Sequence, residues 1–83
     1  MTINYKTSGV CSKNIELTIE NDIIKNVYFE GGCNGNLKGI SLLVKGKNAK
    51  EIANTLRGST CGNKSTSCPD QLAKAIDKYY SNL

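Results

Sequence analysis

Four cysteines and no histidine set the chemistry open to this 83-residue chain. Without imidazole there are no His general bases, no Ser-His or Cys-His dyads and no histidine-bearing zinc sites, so chemistry must come from thiols and carboxylates. The thiols are Cys11, Cys33, Cys61 and Cys68. Cys68 lies in Thr66-Ser67-Cys68-Pro69-Asp70, where Ser67 and Asp70 make the Ser-x-x-Asp form of a capping box, Pro69 suits a first helical turn, and an apolar stripe begins with Leu72 and Ile76. A thiol so placed faces the positive end of a helix dipole and unpaired backbone N–H groups. Both favour the thiolate, the form that binds metals or attacks electrophiles. Asp70 reads as part of the cap rather than as a ligand.

Strands must position the first two thiols and helices the last two. Ile3 and Tyr5 alternate with polar neighbours as an edge strand ending at Ser8-Gly9. From Lys13 to Glu20 the apolar residues Ile15, Leu17 and Ile19 face one way and Glu16, Thr18 and Glu20 the other, the pattern of a strand with one wet side. A turn at Asn21-Asp22 returns the chain through Ile23 to Phe29, and Glu30-Gly31-Gly32 closes that strand. Pairing residues whose numbers sum to 44 sets Ile15 opposite Phe29, Leu17 opposite Val27 and Cys11 opposite Cys33. A two-residue turn instead displaces the two cysteines by one position, onto opposite faces. Neighbouring strands are about 5 Å apart, so thiols opposite one another on one face can share a metal or a disulfide.

A short helix follows, with Leu37, Ile40, Leu43 and Val44 expected on its inner side and Gly46 at its end. Asn48 and Glu51 form a second capping box for a helix carrying Ile52 and Leu56 and stopping at Gly58. The polar loop Ser59 to Ser65 carries Cys61. A closing helix from about Pro69 to Ser81 turns Leu72, Ile76, Tyr79 and Leu83 to the core. The expected architecture is α+β, a small antiparallel three-stranded meander followed by two or three helices packed on one face. It is read as one domain over residues 1–83, small enough that a metal or cross-link serves as a staple.

Composition narrows the partners. The net charge of +4 arises from 11 Lys+Arg against 7 Asp+Glu, and all the cations but Arg57 are lysines spread from Lys6 to Lys78. Nucleic-acid surfaces cluster Arg and Lys among aromatics, so no nucleic-acid role is expected. The run Met1 to Lys6 lacks the apolar segment of a signal peptide, and no stretch approaches the length of a bilayer span, which points to a cytoplasmic protein without membrane attachment. In a reducing compartment four cysteines are metal-bound or reduced rather than paired, although they allow three disulfide connectivities elsewhere. Gly31-Gly32-Cys33-Asn34-Gly35 matches neither G-x-G-x-x-G nor the Walker pattern, so it reads as a tight turn bringing Cys33 toward Cys11 rather than as a phosphate cradle.

Two resemblances accompany this reading. The complete run TSCPD, residues 66–70, resembles the signature of the TSCPD domain family, found fused to the C-terminal ends of ribonucleoside reductases and as short stand-alone bacterial proteins. The likeness extends from about Gly9 to about Tyr80 and implies an accessory domain of a ribonucleoside-diphosphate reductase in deoxyribonucleotide synthesis. Radical reduction of a ribonucleotide needs a large enclosing barrel, so catalysis by this chain alone is not expected. Gly9-Val10-Cys11, the Asn21-Asp22 turn, Phe29-Glu30-Gly31-Gly32-Cys33 and Lys45-Gly46-Lys47 are also similar to U-type iron-sulfur cluster scaffolds, whose three cysteines map onto Cys11, Cys33 and Cys68. Those scaffolds use an Asp shortly after the first cysteine, where this chain has Ser12-Lys13, and a shared fold does not by itself carry function.

Cysteine is also a common core residue, and Cys11 or Cys33 alone would read as filler. Their expected opposition, with Cys68 at a helix mouth, favours a thiol-rich module holding zinc or an iron-sulfur cluster through Cys11, Cys33 and Cys68. Cys61 or solvent would complete the set. The competing reading is a redox protein in which Cys68 is the low-pKa thiol and Cys61 its resolving partner.

Overall fold

The computed structural model describes residues 1–10, 12–32, 34–60 and 65–82. Cys11, Cys33, Cys61 and Leu83 lie outside the described residues. Period-two alternation builds three strands, β1 (Thr2–Lys6), β2 (Ser12–Glu20) and β3 (Ile23–Gly31), paired antiparallel in the order β1-β2-β3. Helices α1 (Asn34–Val44), α2 (Ala49–Leu56) and α3 (Cys68–Ser81) follow. This is the expected α+β meander, with three helices.

The apolar face of β2 makes the centre of the core. Ile15 and Leu17 are fully buried, with Val27 and Phe29 opposite them, so the sum-44 register holds through the middle of the hairpin. Leu72 and Ile76 of α3 are also fully buried, and α3 packs across β2. The closely packed helix pair α2 and α3 contributes the buried small residues Ala49, Ala53, Ala73 and Ala75. At the surface Arg57 clamps the end of α2 to α3 through two hydrogen bonds to Asp77, at 2.6 and 3.0 Å. Such exposed pairs contribute little stability.

The register departs from a single sum at both ends of the hairpin. Asn21 and Asp22 have φ of 53° and 65° and make a two-residue loop, so Glu20 pairs with Ile23 and Ile19 with Ile24. Positive φ at both central positions fits a type I′ turn, for which Asn and Asp are the usual residues after Gly. Lys25 is then an extra residue on β3, which restores the sum-44 pairing from Thr18 to Asn14. Lys13 is extra on β2 and shifts the pairing again, so Ser12 meets Gly31. Bulges of this kind invert which residues face inward. Ser12 is accordingly buried beside exposed Lys13, and the register argument does not extend past Asn14. Any pairing of Cys11 with Cys33 lies outside the described residues.

The connection between α1 and α2 closes the edge of β3 near this turn. Ile24 N–H donates to the Lys47 carbonyl at 2.9 Å, Gly46 N–H to the Ile24 carbonyl at 2.8 Å, and Ala49 N–H to the Asp22 carbonyl at 2.8 Å. The Tyr80 hydroxyl donates to Asp22 Oδ1 at 2.8 Å, tying α3 to the hairpin tip. Burial first and this bond second push the Tyr80 phenol up to about 12.

One core expectation is corrected. Leu43 does not face inward but is 74% exposed, and Leu42 beside it is 65% exposed. Helix α1 leans against edge strand β3 and meets it through Leu37 and Val44, with Ile40 half-buried between them. A position one residue from Val44 is rotated by about 100° around the helix, which carries Leu43 off that face. Among the described residues no helix is long and apolar enough to cross a membrane.

The turn and the exposed leucine give opposite expectations. Asn21→Val should cost about 1–2 kcal/mol, because a β-branched side chain resists the left-handed region, while Asn21→Gly should be tolerated. Leu43→Ser should stay within about 0.5 kcal/mol of wild type. Urea unfolding of the three variants checks both expectations.

Candidate functional site

The first turn of α3 is where the thiol chemistry and the fold meet. Ser67 is its N-cap with extended backbone, and its Oγ accepts the Asp70 N–H at 3.2 Å. The same hydroxyl donates to the Ser59 carbonyl at 2.7 Å, so the cap also holds the loop that leaves α2. Helix α3 begins at Cys68, one residue before the expected start, with Pro69 in its first turn. Asn48 caps α2 as expected, its Oδ1 accepting the Glu51 N–H at 3.1 Å.

Cys68 is buried, with 8% exposure, and joins the hydrophobic core cluster. Its sulfur is 3.4 Å from Ser12 Oγ, and either atom can donate in that contact. The Lys13 bulge turns Ser12 inward to make this meeting. The Ser12 carbonyl in turn accepts the Thr7 hydroxyl at 2.5 Å, holding the start of β2 against the end of β1.

Asp70 gives its N–H to the Ser67 cap, and its side chain turns to other partners. Its carboxylate, 3% exposed, accepts the Thr66 hydroxyl at 2.5 Å and the Gly58 N–H at 2.7 Å, with Lys74 Nζ at 3.5 Å. Gly58 can offer its N–H there because it turns the chain after α2 with φ of 87°. The Thr66 hydroxyl first, and the Gly58 amide second, hold the Asp70 carboxyl below the usual carboxylate range against the opposing effect of burial. Donors fixed around a carboxylate favour its charged form, and the helix N-terminus adds in the same direction.

Gln71 completes the network and was missed in the sequence, where it looked like a polar residue between helical stripe positions. Only 2% exposed, it accepts the Ser8 N–H through Oε1 at 3.3 Å and donates through Nε2 to Thr66 Oγ1 at 3.0 Å. Gly9, with φ of 73°, lets the same loop run close to Thr66, where a Cβ at position 9 would lie 3.2 Å from the threonine methyl. Ser12 was missed as well, because plain alternation would have turned Lys13 inward instead. Only its place next to Cys11 hinted at a role.

Of the proposed ligand set, only Cys68 is described. Cys11, Cys33 and Cys61 lie outside the described residues, and among the described residues no group of three His, Cys, Asp or Glu side chains gathers as a metal site. A separate cleft of about 360 Å3 between α1 and β3 is lined by Val27, Tyr28, Phe29, Gly31, Leu37, Lys38 and Ser41. Among the described residues its lining holds no thiol or carboxylate.

Asp70 has a pH signature. Because its folded-state pKa is lowered, its contribution is fully present above the unfolded carboxylate value of about 3.9 and is lost as pH falls through the folded value. Asp70→Asn should therefore cost about 2 kcal/mol near neutral pH, with the gap to wild type closing below about pH 4. Ser67→Ala should cost about 1 kcal/mol with no such pH dependence. Thermal unfolding from pH 2 to 7 checks both.

No curated protein and no solved structure matches the chain significantly. A family model does, the TSCPD domain, over residues 2–80. That span takes in the strands, the helices and the Thr66–Asp70 network, and the chain belongs to the TSCPD domain family.

Proposed function

We propose that this protein is a small thiol-based metal-binding module for zinc or an iron-sulfur cluster, with Cys11, Cys33 and Cys68 as ligands and Cys61 or solvent completing the set. The observation that carries this reading is a convergence of chain segments on Cys68. Its sulfur touches Ser12, the residue after Cys11. Ser12 pairs with Gly31, two residues before Cys33. Ser67, next to Cys68, bonds Ser59, two residues before Cys61. The described residues Ser12, Gly31, Ser59 and Ser67, each within two positions of a cysteine in the sequence, are thus linked to Cys68 or to its neighbours.

The donor chemistry suits the group. Thiolates satisfy zinc and iron-sulfur clusters, and three of them can hold zinc with water in the fourth place. Asp70, the acid of the same helical turn, is already committed to Thr66 and Gly58, which leaves the thiols as the ligating groups. A bound metal would supply a cross-link to an 83-residue chain, a size at which such a staple adds most. The chain's own part is to bury Cys68, orient its sulfur beside Ser12 and anchor the loops around it. An accessory role beside a ribonucleoside reductase chain rests on the family resemblance, and co-purification with such a chain would support it.

The test is metal content after anaerobic refolding with zinc or iron. Wild type should take up metal stoichiometrically, and Cys68→Ser should abolish uptake while keeping the fold. Cys61→Ser should weaken binding less, and all binding should weaken as pH falls because protons compete for the thiolates. Wild-type protein that takes up neither metal would overturn this reading in favour of a redox pair of Cys68 and Cys61.

A further inference from the structure

We infer that the cleft between α1 and β3 takes an extended, acidic segment of a partner protein, which adds to the sheet as a fourth strand beside β3. The inference stands apart from the thiols and goes beyond the metal-binding reading. It starts from the directions of backbone groups. The Thr7 N–H donates to the Lys13 carbonyl at 3.2 Å and the Ile19 N–H to the Met1 carbonyl at 3.1 Å, so the odd-numbered residues of β2 turn their backbone groups toward β1. Bonded and unbonded pairs alternate along an antiparallel ladder, so Glu16 and Thr18 turn theirs toward β3, where they meet Tyr28 and Asn26. The N–H and C=O groups of Val27 and Phe29 consequently point away from β2, off the edge of the sheet. Ile24 points the same way and is closed by Lys47 and Gly46, but among the described residues no bond closes the edge at Val27 or Phe29.

The cleft lies along that open stretch, with Val27 and Phe29 in one wall and Leu37, Lys38 and Ser41 of α1 in the other. Strand residues rise about 3.4 Å each, so the two sets of open backbone groups stand about 7 Å apart, the repeat of a neighbouring strand. A second extended chain satisfies both sets, and unpaired backbone groups at a sheet edge are a template for one. The Ser41 hydroxyl is spent within α1 on the Leu37 carbonyl at 2.9 Å, so the helix wall offers contact and charge rather than that donor. Leu42, 65% exposed, lies one turn beyond Lys38 on the same flank of α1, and Tyr28, 59% exposed, stands on the strand side, which gives the occupant apolar contact at both rims. Charge selects the occupant. Lys38 is the single charged residue of α1, and among the described residues it joins no ion pair. A carboxylate on the incoming segment answers it. A second copy fits poorly, because the chain carries a net charge of +4 and its other edge strand, β1, brings Lys6 and no acid.

Peptides selected on the full chain from a phage-displayed random library, then synthesised, test this. The selected sequences should carry an acidic residue. Lys38→Glu should weaken their binding at least about 10-fold, whereas Lys6→Glu, the same charge change on the far edge of the sheet, should leave it as in wild type. Replacing alternate peptide N–H groups by N-methyl should abolish binding, since strand addition depends on main-chain hydrogen bonds. When the peptide saturates the protein, amide exchange followed by NMR should slow at Val27 and Phe29 by at least about 10-fold. It should change little at Asn26 and Tyr28, which already bond β2. A library without a binder, selected sequences without an acid, wild-type affinity in Lys38→Glu, or binding that leaves the Val27 and Phe29 amides unprotected would overturn the inference. Retained binding by the N-methylated peptide would overturn it in favour of a docked helix. Slowing of the same two amides at raised protein concentration without peptide would overturn it in favour of a second copy.

Discussion

The Asp70 carboxylate is 3% exposed, and a buried charge is tolerated only where fixed donors replace the water it has lost. The donors come from opposite directions along the chain, the Gly58 amide from the end of α2 and the Thr66 hydroxyl from the approach to α3. The first turn of α3 is therefore tied to both segments. Cys68, Ser67 and Gln71 inherit their positions from that constraint. Read physically, the five-residue motif is a helix start whose polar residues face the protein rather than solvent: Thr66 supplies the hydroxyl, Ser67 the cap, Pro69 the turn and Asp70 the anchor, with the thiol held between them.

The hairpin contributes the other half of the site through its irregularities. An ideal ladder would present Lys13 with Ile15 and Leu17, placing a cation against the core. The extra residue at Lys13 leaves that lysine exposed and turns Ser12 inward, where it reaches the Cys68 sulfur. The extra residue at Lys25 does similar work at the other end. It reconciles a two-residue turn with the sum-44 pairing of the middle, so that both Ile24 and Val27 are buried although three apart. In each case a lysine occupies the bulge, where its long side chain finds solvent at little cost.

The apolar pattern and caps of this chain determined a great deal by themselves. Alternation at Ile15, Leu17 and Ile19, the turn at Asn21-Asp22, and the signals at Asn48-Glu51 and Ser67-Asp70 were enough for the strand order of a meander, the sum-44 middle of the hairpin and the starts of α2 and α3 within a residue. These are local signals, set by backbone propensity and side-chain period, and they survive any tertiary arrangement that buries the stripe. Tertiary structure alone decided the rest. Whether Leu43 or Ile40 faced β3 depended on where α1 leaned, and whether Ser12 or Lys13 turned inward depended on a bulge that no local residue preference announces. Gln71 was illegible for the same reason, since a glutamine on a helix is polar surface until the backbone N–H of Ser8 arrives from 63 residues away to claim its oxygen. Hydrogen bonds between distant segments leave no period in the sequence, because each partner is an ordinary polar residue where it stands and becomes specific only when the fold brings the two together.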